Sequence, residues 1–568
     1  MSQPSPELSP SRRDARIRLA MVLTAALFLV VAARLFKLQV LQHDEYARRA
    51  DAQHTHTVIL DPARGSIFDR NGYLLAGNSP VVTLEVYWPS VPAGSESAID
   101  SLLARIRGAG AEVPVPDRTG VNQIIASDMP WEEALPIISG PVPIGVNWRV
   151  GARRTYPLGD DAAQIIGRST RDCNEGLERE FNSLLTGEPG VCLVERSAYP
   201  GMSITSPEAS GTPPVDGDDI RLTIDARFQN IVQEELERAA VMSGAEWAAA
   251  VLVDPATGDI LALGGFPVRA PDGSLLANPC ISSIHEPGST FKIVTLAACL
   301  EEGLLTSSDS FDCSAGRIPV ADRMISDCHS FGVLSVEQII AQSSNVGTIQ
   351  MAGCLADSTL YEYSSRFGFG ARTGIELPGE EEGLLHRVSE WSRLSRACLA
   401  IGQEVAVTPL QLAMAFCVVA NGGNLVRPRL VAASRGTDGW RDWSGIRPRR
   451  VISEETAAEI RRILTEAVET GTGASAAVRG VSVAGKTGTA ERLGFGAGAY
   501  LSAFVGMLPA ERPRIVCAVV FDRPDYAYRF VSSLAAPVFS SIMTRLLASD
   551  PSIALGVPEE AGGVAVLR

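Results

Sequence analysis

The chain has 568 residues, 46% of them hydrophobic and 20% charged, a globular composition with length for about three to four structural units. A formal charge of −15, with no basic stripe interleaved with aromatics, excludes nucleic acid as the partner, because phosphate recognition needs clustered Lys and Arg. Of the 50 basic residues only Lys37, Lys292 and Lys486 are lysine. Arginine serves wherever positive charge alone suffices, so the remaining amines are candidates for proton chemistry that a guanidinium cannot perform.

Arg12, Arg13, Arg16 and Arg18 precede LAMVLTAALFLVVAA, Leu19 to Ala33, a run without charge. Ile17 before it and Leu35, Phe36, Leu38 and Val40 after it extend the apolar face to the roughly 20 residues a bilayer requires, with Arg34 and Lys37 able to snorkel. The stretch reads as one membrane-spanning anchor over 17–40. Its basic N-terminal flank assigns 1–16 to the cytoplasm and the bulk of the chain to the outside. A cleaved signal peptide ending near Ala33 is the other reading, and the apolar pattern that continues beyond that point favours the anchor.

A polar helical stretch, HDEYARRADAQ, leads into LDPARGSIFDRNGYLLAGN, where Asn71-Gly72 predicts a hairpin turn. From Val81 to about Ser206 short strand-like pieces alternate with Pro/Gly-rich connections. The breaker-rich SPEASGTPPVDGDD then marks a boundary. The expected order is a tail over 1–16, the anchor over 17–40, a mixed α+β membrane-proximal pedestal over 41–215, a larger α/β (α+β) domain over 216–550 and a C-terminal tail over 551–568.

Within the larger domain, Phe228, Ile231, Val232, Leu236 and Ala239 fall on one face of a helix. WAAAVLVDPATGDILALGG reads as two strands folded on the turn Asp254-Pro255-Ala256-Thr257-Gly258, and a hairpin beside a helix begins a layered α/β domain. In HEPGSTFKIV, Pro287 and Gly288 break the chain and Ser289 is expected to open a helix, where unpaired N–H groups and the positive dipole end favour an oxyanion. Spacing of three then puts the Ser289 hydroxyl and the Lys292 amine on one face, within hydrogen-bonding reach.

The ten cysteines are scattered. Cys299 and Cys417 sit in apolar runs and read as buried small hydrophobes. Cys173 with Cys192, and Cys313 with Cys328, are close enough in sequence to bridge in an oxidising compartment, and both pairings stay open. There is no C-x-x-C and no histidine ligand spacing, so neither a metal site nor a cofactor is expected.

Ser289-x-x-Lys292 is followed by Ser343-Ser344-Asn345 and by Lys486-Thr487-Gly488-Thr489. Three short motifs in this order, two of them holding two of the three lysines, resemble the S-x-x-K, S-x-N and K-T-G set of penicillin-binding proteins and serine β-lactamases. Arg64-Gly65 with Asp69-Arg70-Asn71-Gly72, YPLGDDAAQIIG, VTPLQLA and AFVGMLPAERPR extend the resemblance along most of the chain to class B penicillin-binding proteins, closer to the division-type branch than to the elongation-type one. One departure is Glu404 in Gly402-Gln403-Glu404, where that family commonly has glycine.

The resemblance implies a penicillin-binding, serine β-lactamase-like transpeptidase domain, with an antiparallel sheet flanked by helices, behind a pedestal and one transmembrane helix. It implies attack by Ser289 on the D-Ala-D-Ala end of a peptidoglycan stem peptide, an acyl-enzyme, and transfer to the amine of a neighbouring stem. Lys292 would take the Ser289 proton, Ser343 would relay a proton to the leaving amine, and Asn345 would hold the substrate amide or Lys292. Lys486, Thr487 and Thr489 would bind the terminal carboxylate from an edge strand that includes Gly488, and the N–H groups of Ser289 and Thr489 would hold the oxyanion. β-Lactams would acylate the same serine, and a membrane glycan polymerase and division-complex proteins would be partners. Burial and the second cation, Lys486, would both lower the Lys292 pKa from about 10.4, and lowering it by about three pH units costs roughly 4 kcal/mol. A DD-carboxypeptidase or β-lactamase on the same fold, a β-lactam sensor and a non-catalytic division scaffold are the competing readings. Arg64, Asp69, His285 and Glu286 are expected to be structural.

Overall fold

The computed structural model describes residues 10–115, 121–170, 174–196, 203–204, 211–443, 447–491 and 500–555. The chain divides into two compact units, one of Met1–Pro62, Ser79–Arg153 and Glu188–Val215, the other of Ala63–Asn78, Arg154–Gly187 and Asp216–Arg568. A linear reading with one boundary near 215 does not anticipate the two earlier excursions, 63–78 and 154–187, into the second unit. Cys173 lies outside the described residues, and Cys313 and Cys328 are free thiols.

In the first unit the helix Pro10–Phe36 carries the apolar N-terminal run. The stretch Arg13–Leu41, 29 residues long with a mean hydropathy of 2.4 in its most apolar window, is the one among the described residues long and apolar enough to cross a membrane. Strand Thr55–Leu60 pairs antiparallel with Gly190–Arg196. A separate core forms where helix Glu96–Gly108 buries Ile99, Leu102, Leu103 and Ile106, an i, i+3, i+4, i+7 stripe. It shares that core with Val82, Leu84 and Val86 on residues 79–87, and with Ile125, Ala126 and Met129 on strand Asn122–Pro130.

In the second unit the predicted turn at Asn71-Gly72 is present. Gly72 has a φ of +85° and its N–H donates to the Asp69 carbonyl at 3.1 Å, folding Ile67–Phe68 against the strand that begins at Leu74. Asp69, almost wholly buried, accepts the N–H groups of Asn71 at 2.8 Å, Tyr73 at 2.7 Å and Ala226 at 3.1 Å, a structural role. Arg64 is structural too: with Arg154 it grips the fully buried Glu178 carboxylate, each through an Nε at 2.7 Å.

The larger part of this unit runs α1 (Ala226–Ser243), β1 (Trp247–Val253), β2 (Ile260–Phe266), α2 (Lys292–Glu301), α3 (Asn345–Ala352), α4 (Pro409–Ala420), α5 (Glu454–Glu469), β3 (Ala484–Glu491), β4 (Tyr500–Leu508), β5 (Ile515–Asp522) and α6 (Ala535–Ser549). The five strands form one antiparallel sheet in the order β2-β1-β5-β4-β3. Both faces are covered, which is why the strands read as near-continuous apolar runs. In β1, Ala248, Ala250 and Leu252 join a core with Phe228 and Leu236 of α1 and Phe539 of α6, while Ala249, Val251 and Val253 face a second core containing α2 and α4. Helix α4 is apolar all round and buried along its whole length. It starts on a capping box, with Thr408 and Gln411 exchanging side-chain-to-backbone hydrogen bonds at 2.9 and 3.1 Å and Pro409 at the first helical position. Cys299 and Cys417 are buried as expected. At the C-terminal end, Ser552–Leu555 forms a short helix.

Candidate active site

The local structure at Ser289 differs from the expected helix start. Gly288–Phe291 is a 3-10 turn and α2 begins only at Lys292, so Ser289 stands in the tighter turn just ahead of the helix. Two close approaches set that turn. His285 exchanges backbone hydrogen bonds with Val407 at 2.9 and 2.8 Å, and the Gly288 N–H donates to the Gly402 carbonyl at 3.0 Å. A Cβ on Gly402 would lie 2.1 Å from the Gly288 carbonyl oxygen, at a φ of +78° that side chains avoid. Gly402→Ala is therefore expected to destabilise the protein by about 2 kcal/mol and to slow covalent labelling by penicillin about tenfold, read by thermal unfolding and by the labelling rate. Glu404, the departure from the family pattern, also has a left-handed φ of +57°, and its N–H donates to Glu286 Oε1 at 3.1 Å.

Gly488 brings the other side of the site in. A Cβ there would meet the Pro287 carbonyl oxygen at 2.9 Å and the Thr290 methyl at 2.8 Å, so its bare backbone lets edge strand β3 lie directly on the Ser289 turn. Ser289, Ser343, Asn345, Thr487 and Thr489 line one cleft of about 520 Å³.

Lys292 and Lys486 lie behind this cleft, both almost wholly buried. Lys292 Nζ donates to the Ser343 carbonyl at 2.7 Å and to Asn345 Oδ1 at 2.8 Å, with the Ser343 hydroxyl at 3.4 Å. Lys486 Nζ donates to the same hydroxyl at 2.9 Å. Ser343 thus stands between the two amines. It does so with a φ of +59°, a left-handed conformation worth about 1–2 kcal/mol of strain in a residue with a side chain. Among the described residues the structure has no hydrogen bond on the Ser289 hydroxyl, and the Lys292 amine, expected within reach of it, donates to Ser343 and Asn345.

Desolvation, reinforced by the neighbouring Lys486 cation, holds the Lys292 amine well below its ordinary pKa of 10.5. Burial pushes Lys486 down to about 7. A neutral amine has two N–H donors and one lone pair. In that form Lys292 would place both donors on Ser343 O and Asn345 Oδ1, which leaves the lone pair for its third contact, the Ser343 hydroxyl at 3.4 Å. The Asn345 amide cannot turn round, because its Nδ2 donates to the Ser326 carbonyl at 3.1 Å.

The site contains groups that sequence reasoning missed. Gln342, Cys328, Thr472 and the segment Phe530–Ser532 also line the cleft. Thr472 shares a 2.8 Å hydrogen bond with Thr487, joining the loop after α5 to β3. Ser326 and Asp327 hold the 343–345 motif from outside. Gln342 adjoins the middle motif, but no spacing rule points at the others: Thr472 lies 15 residues from Thr487, and Asp327 and Ser326 lie 17 and 19 residues from Ser344 and Asn345.

Residues 248–544 match the penicillin-binding protein transpeptidase domain and residues 59–175 the penicillin-binding protein dimerisation domain. The chain is 32% identical to penicillin-binding protein PbpB of Mycolicibacterium smegmatis, over 92% of this chain and 88% of that protein. It is 30% identical to the peptidoglycan D,D-transpeptidase FtsI of Escherichia coli, over 93% and 90% respectively. The crystal structure of penicillin-binding protein 3 from Mycobacterium tuberculosis, complexed with aztreonam, matches with a TM-score of 0.68 and 27% identity, covering 88% of this chain and 98% of that one. The chain belongs to the class B penicillin-binding proteins of the division type.

Proposed function

We propose that the protein is a serine-type peptidoglycan D,D-transpeptidase that crosslinks stem peptides at the division septum. The observation that carries this reading is a buried lysine at position 292, its pKa held well below the ordinary value, that donates to Ser343 O and Asn345 Oδ1, two residues that line one cleft with Ser289. In this reading Ser289 Oγ attacks the carbonyl carbon of the penultimate D-alanine while its proton passes to Lys292. The N–H groups of Ser289 and Thr489 hold the oxyanion, a contribution of about 10²- to 10³-fold per donor in hydrolases that use one. The C–N bond then breaks, the departing D-alanine takes a proton through Ser343, and an ester remains on Ser289. The amine of a second stem peptide attacks that ester, an amide crosslink forms, and the serine oxygen recovers its proton. Lys486, Thr487 and Thr489 bind the substrate's terminal carboxylate, and Asn345 holds Lys292. β-Lactams acylate the same oxygen.

The anchor over 17–40 holds the protein in the cytoplasmic membrane, with 1–16 in the cytoplasm and the catalytic unit outside, an orientation supported by the arginines that flank it. The pedestal occupies 41–215 apart from the two segments that join the catalytic unit, the transpeptidase domain 216–550 and the tail 551–568. A membrane glycan polymerase and other division proteins are its partners. Full-length protein in detergent is incubated with a labelled penicillin and digested for mass spectrometry. A long-lived adduct on Ser289, absent from Ser289→Ala, is expected. Rapid release of hydrolysed drug would make the protein a hydrolase, and an adduct elsewhere would remove Ser289 from its role.

A further inference from the structure

In the S-D-N form of the middle motif an aspartate stands between the serine and the asparagine; here that place is held by Ser344. A carboxylate nevertheless reaches the motif, from a different part of the chain. Strands Arg317–Val320 and Arg323–Ser326 form an antiparallel hairpin, and the Asp327 N–H closes its base by donating to the Gly316 carbonyl at 3.0 Å. From there Asp327 Oδ2 accepts the Ser344 hydroxyl at 2.7 Å, while Oδ1 accepts the N–H groups of Asn345 and, at 3.1 Å, Val346. Ser344, fully buried, accepts the Gly347 N–H at 2.9 Å. The preceding residue, Ser326, takes the Asn345 side-chain N–H at 3.1 Å.

We propose that Asp327 is a positioning residue for the acylation step, acting through Asn345 on the Lys292 amine. Its carboxylate fixes the backbone of Asn345 while Ser326 fixes the amide. Between them they leave Asn345 Oδ1 a single direction, the one in which it accepts from Lys292 Nζ at 2.8 Å. Charge is not the contribution, since a nearby anion favours the protonated lysine and opposes its use as a base. Geometry is: one carboxylate satisfies three donors at the start of α3 and transmits its position to the amine through one amide.

The proposal rests on the transpeptidase reading and is tested by separating the two constants of penicillin acylation, the dissociation constant of the initial complex and the rate constant of bond formation, in full-length protein. Asp327→Ala is expected to lower the rate constant about 30-fold while leaving the dissociation constant within about twofold, as expected for a misplaced base. Asp327→Asn, which keeps the volume and one oxygen acceptor, is expected to lose about fivefold, and it carries the test if the alanine variant does not fold. Because both residues act through one link, Asp327→Ala added to Asn345→Ala should slow the reaction no further. Losses that multiply in the double variant, or a rate constant in Asp327→Asn and Asp327→Ala equal to the unaltered protein's, overturn the proposal. If the unaltered protein itself forms no adduct, it is the transpeptidase reading that fails.

Discussion

Lys292→Arg is expected to form no covalent penicillin adduct, with an acylation rate at least about a thousandfold below that of the unaltered protein. A general base contributes on the order of 10²- to 10⁴-fold, and a guanidinium, never neutral in a protein, cannot act as one. The structure makes the requirement stricter than the motif does. Lys292 is fully buried and meets two oxygen acceptors, Ser343 O and Asn345 Oδ1. An arginine would bring five donors and a fixed charge to a place that satisfies two. Lys292→Met serves as the companion variant, since it keeps the volume, removes the amine and introduces no charge. Both variants are expected to unfold cooperatively in a thermal scan and to remain unlabelled. Labelling of Lys292→Met at the normal rate would take the base role away from this residue.

The second large effect is a change of opposite sign in activity and stability. Lys486→Met is expected to slow acylation about a hundredfold or more, because it removes the cation proposed to bind the substrate carboxylate and the donor to the Ser343 hydroxyl at 2.9 Å. The same variant is expected to raise Tm at neutral pH by about 5 °C. Burial lowers the Lys486 pKa to about 7 in the folded protein, against about 10.4 in an unfolded chain. Between those values the unfolded chain binds a proton that the folded one does not, so stability rises with pH by about 1.4 kcal/mol per pH unit. At pH 7 and below, the destabilisation reaches its full size, about 5 kcal/mol, part of which the hydrogen bond to Ser343 and the packing of the side chain offset. Methionine escapes it. The gap in Tm between variant and parent should therefore be widest at and below about pH 7 and close as pH approaches 10.4. A Tm gap that does not change with pH would mean that the amine stays charged and solvated in the folded protein. Such a pair of outcomes is the trade expected where a fold holds reactive groups in unfavourable surroundings.

Both expected effects rest on residues that are legible in the sequence alone. The scarcity of lysine singled out Lys292 and Lys486, and the three short motifs singled out Ser289, Ser343, Asn345, Thr487, Gly488 and Thr489. The hairpin at Asn71-Gly72, the turn after Asp254 and the buried face of α1 were equally legible. In each case the information is local, a φ requirement or a period of 3.6 or 2 that neighbouring residues express by themselves. The same locality explains what was misread. A serine behind Pro287 and Gly288 looks like a helix start, but the contacts of Gly288 with Gly402 and of Gly488 with Pro287 and Thr290 are made across more than a hundred residues, and the turn there is 3-10.

What the sequence by itself determined is the chemistry on offer: two amines that can lose a proton, hydroxyls at motif spacing, and an apolar N-terminal run. Tertiary structure decided how those groups address one another. It gave the donors of Lys292 to Ser343 and Asn345, bent Ser343 into a left-handed conformation between the amines, and brought Asp327 to the start of α3. The reason is physical. A side chain's identity and its neighbours within a turn are set by adjacent residues, whereas burial, desolvation and the direction of a hydrogen bond depend on elements tens to hundreds of residues apart that meet only when the sheet and its helices close over them.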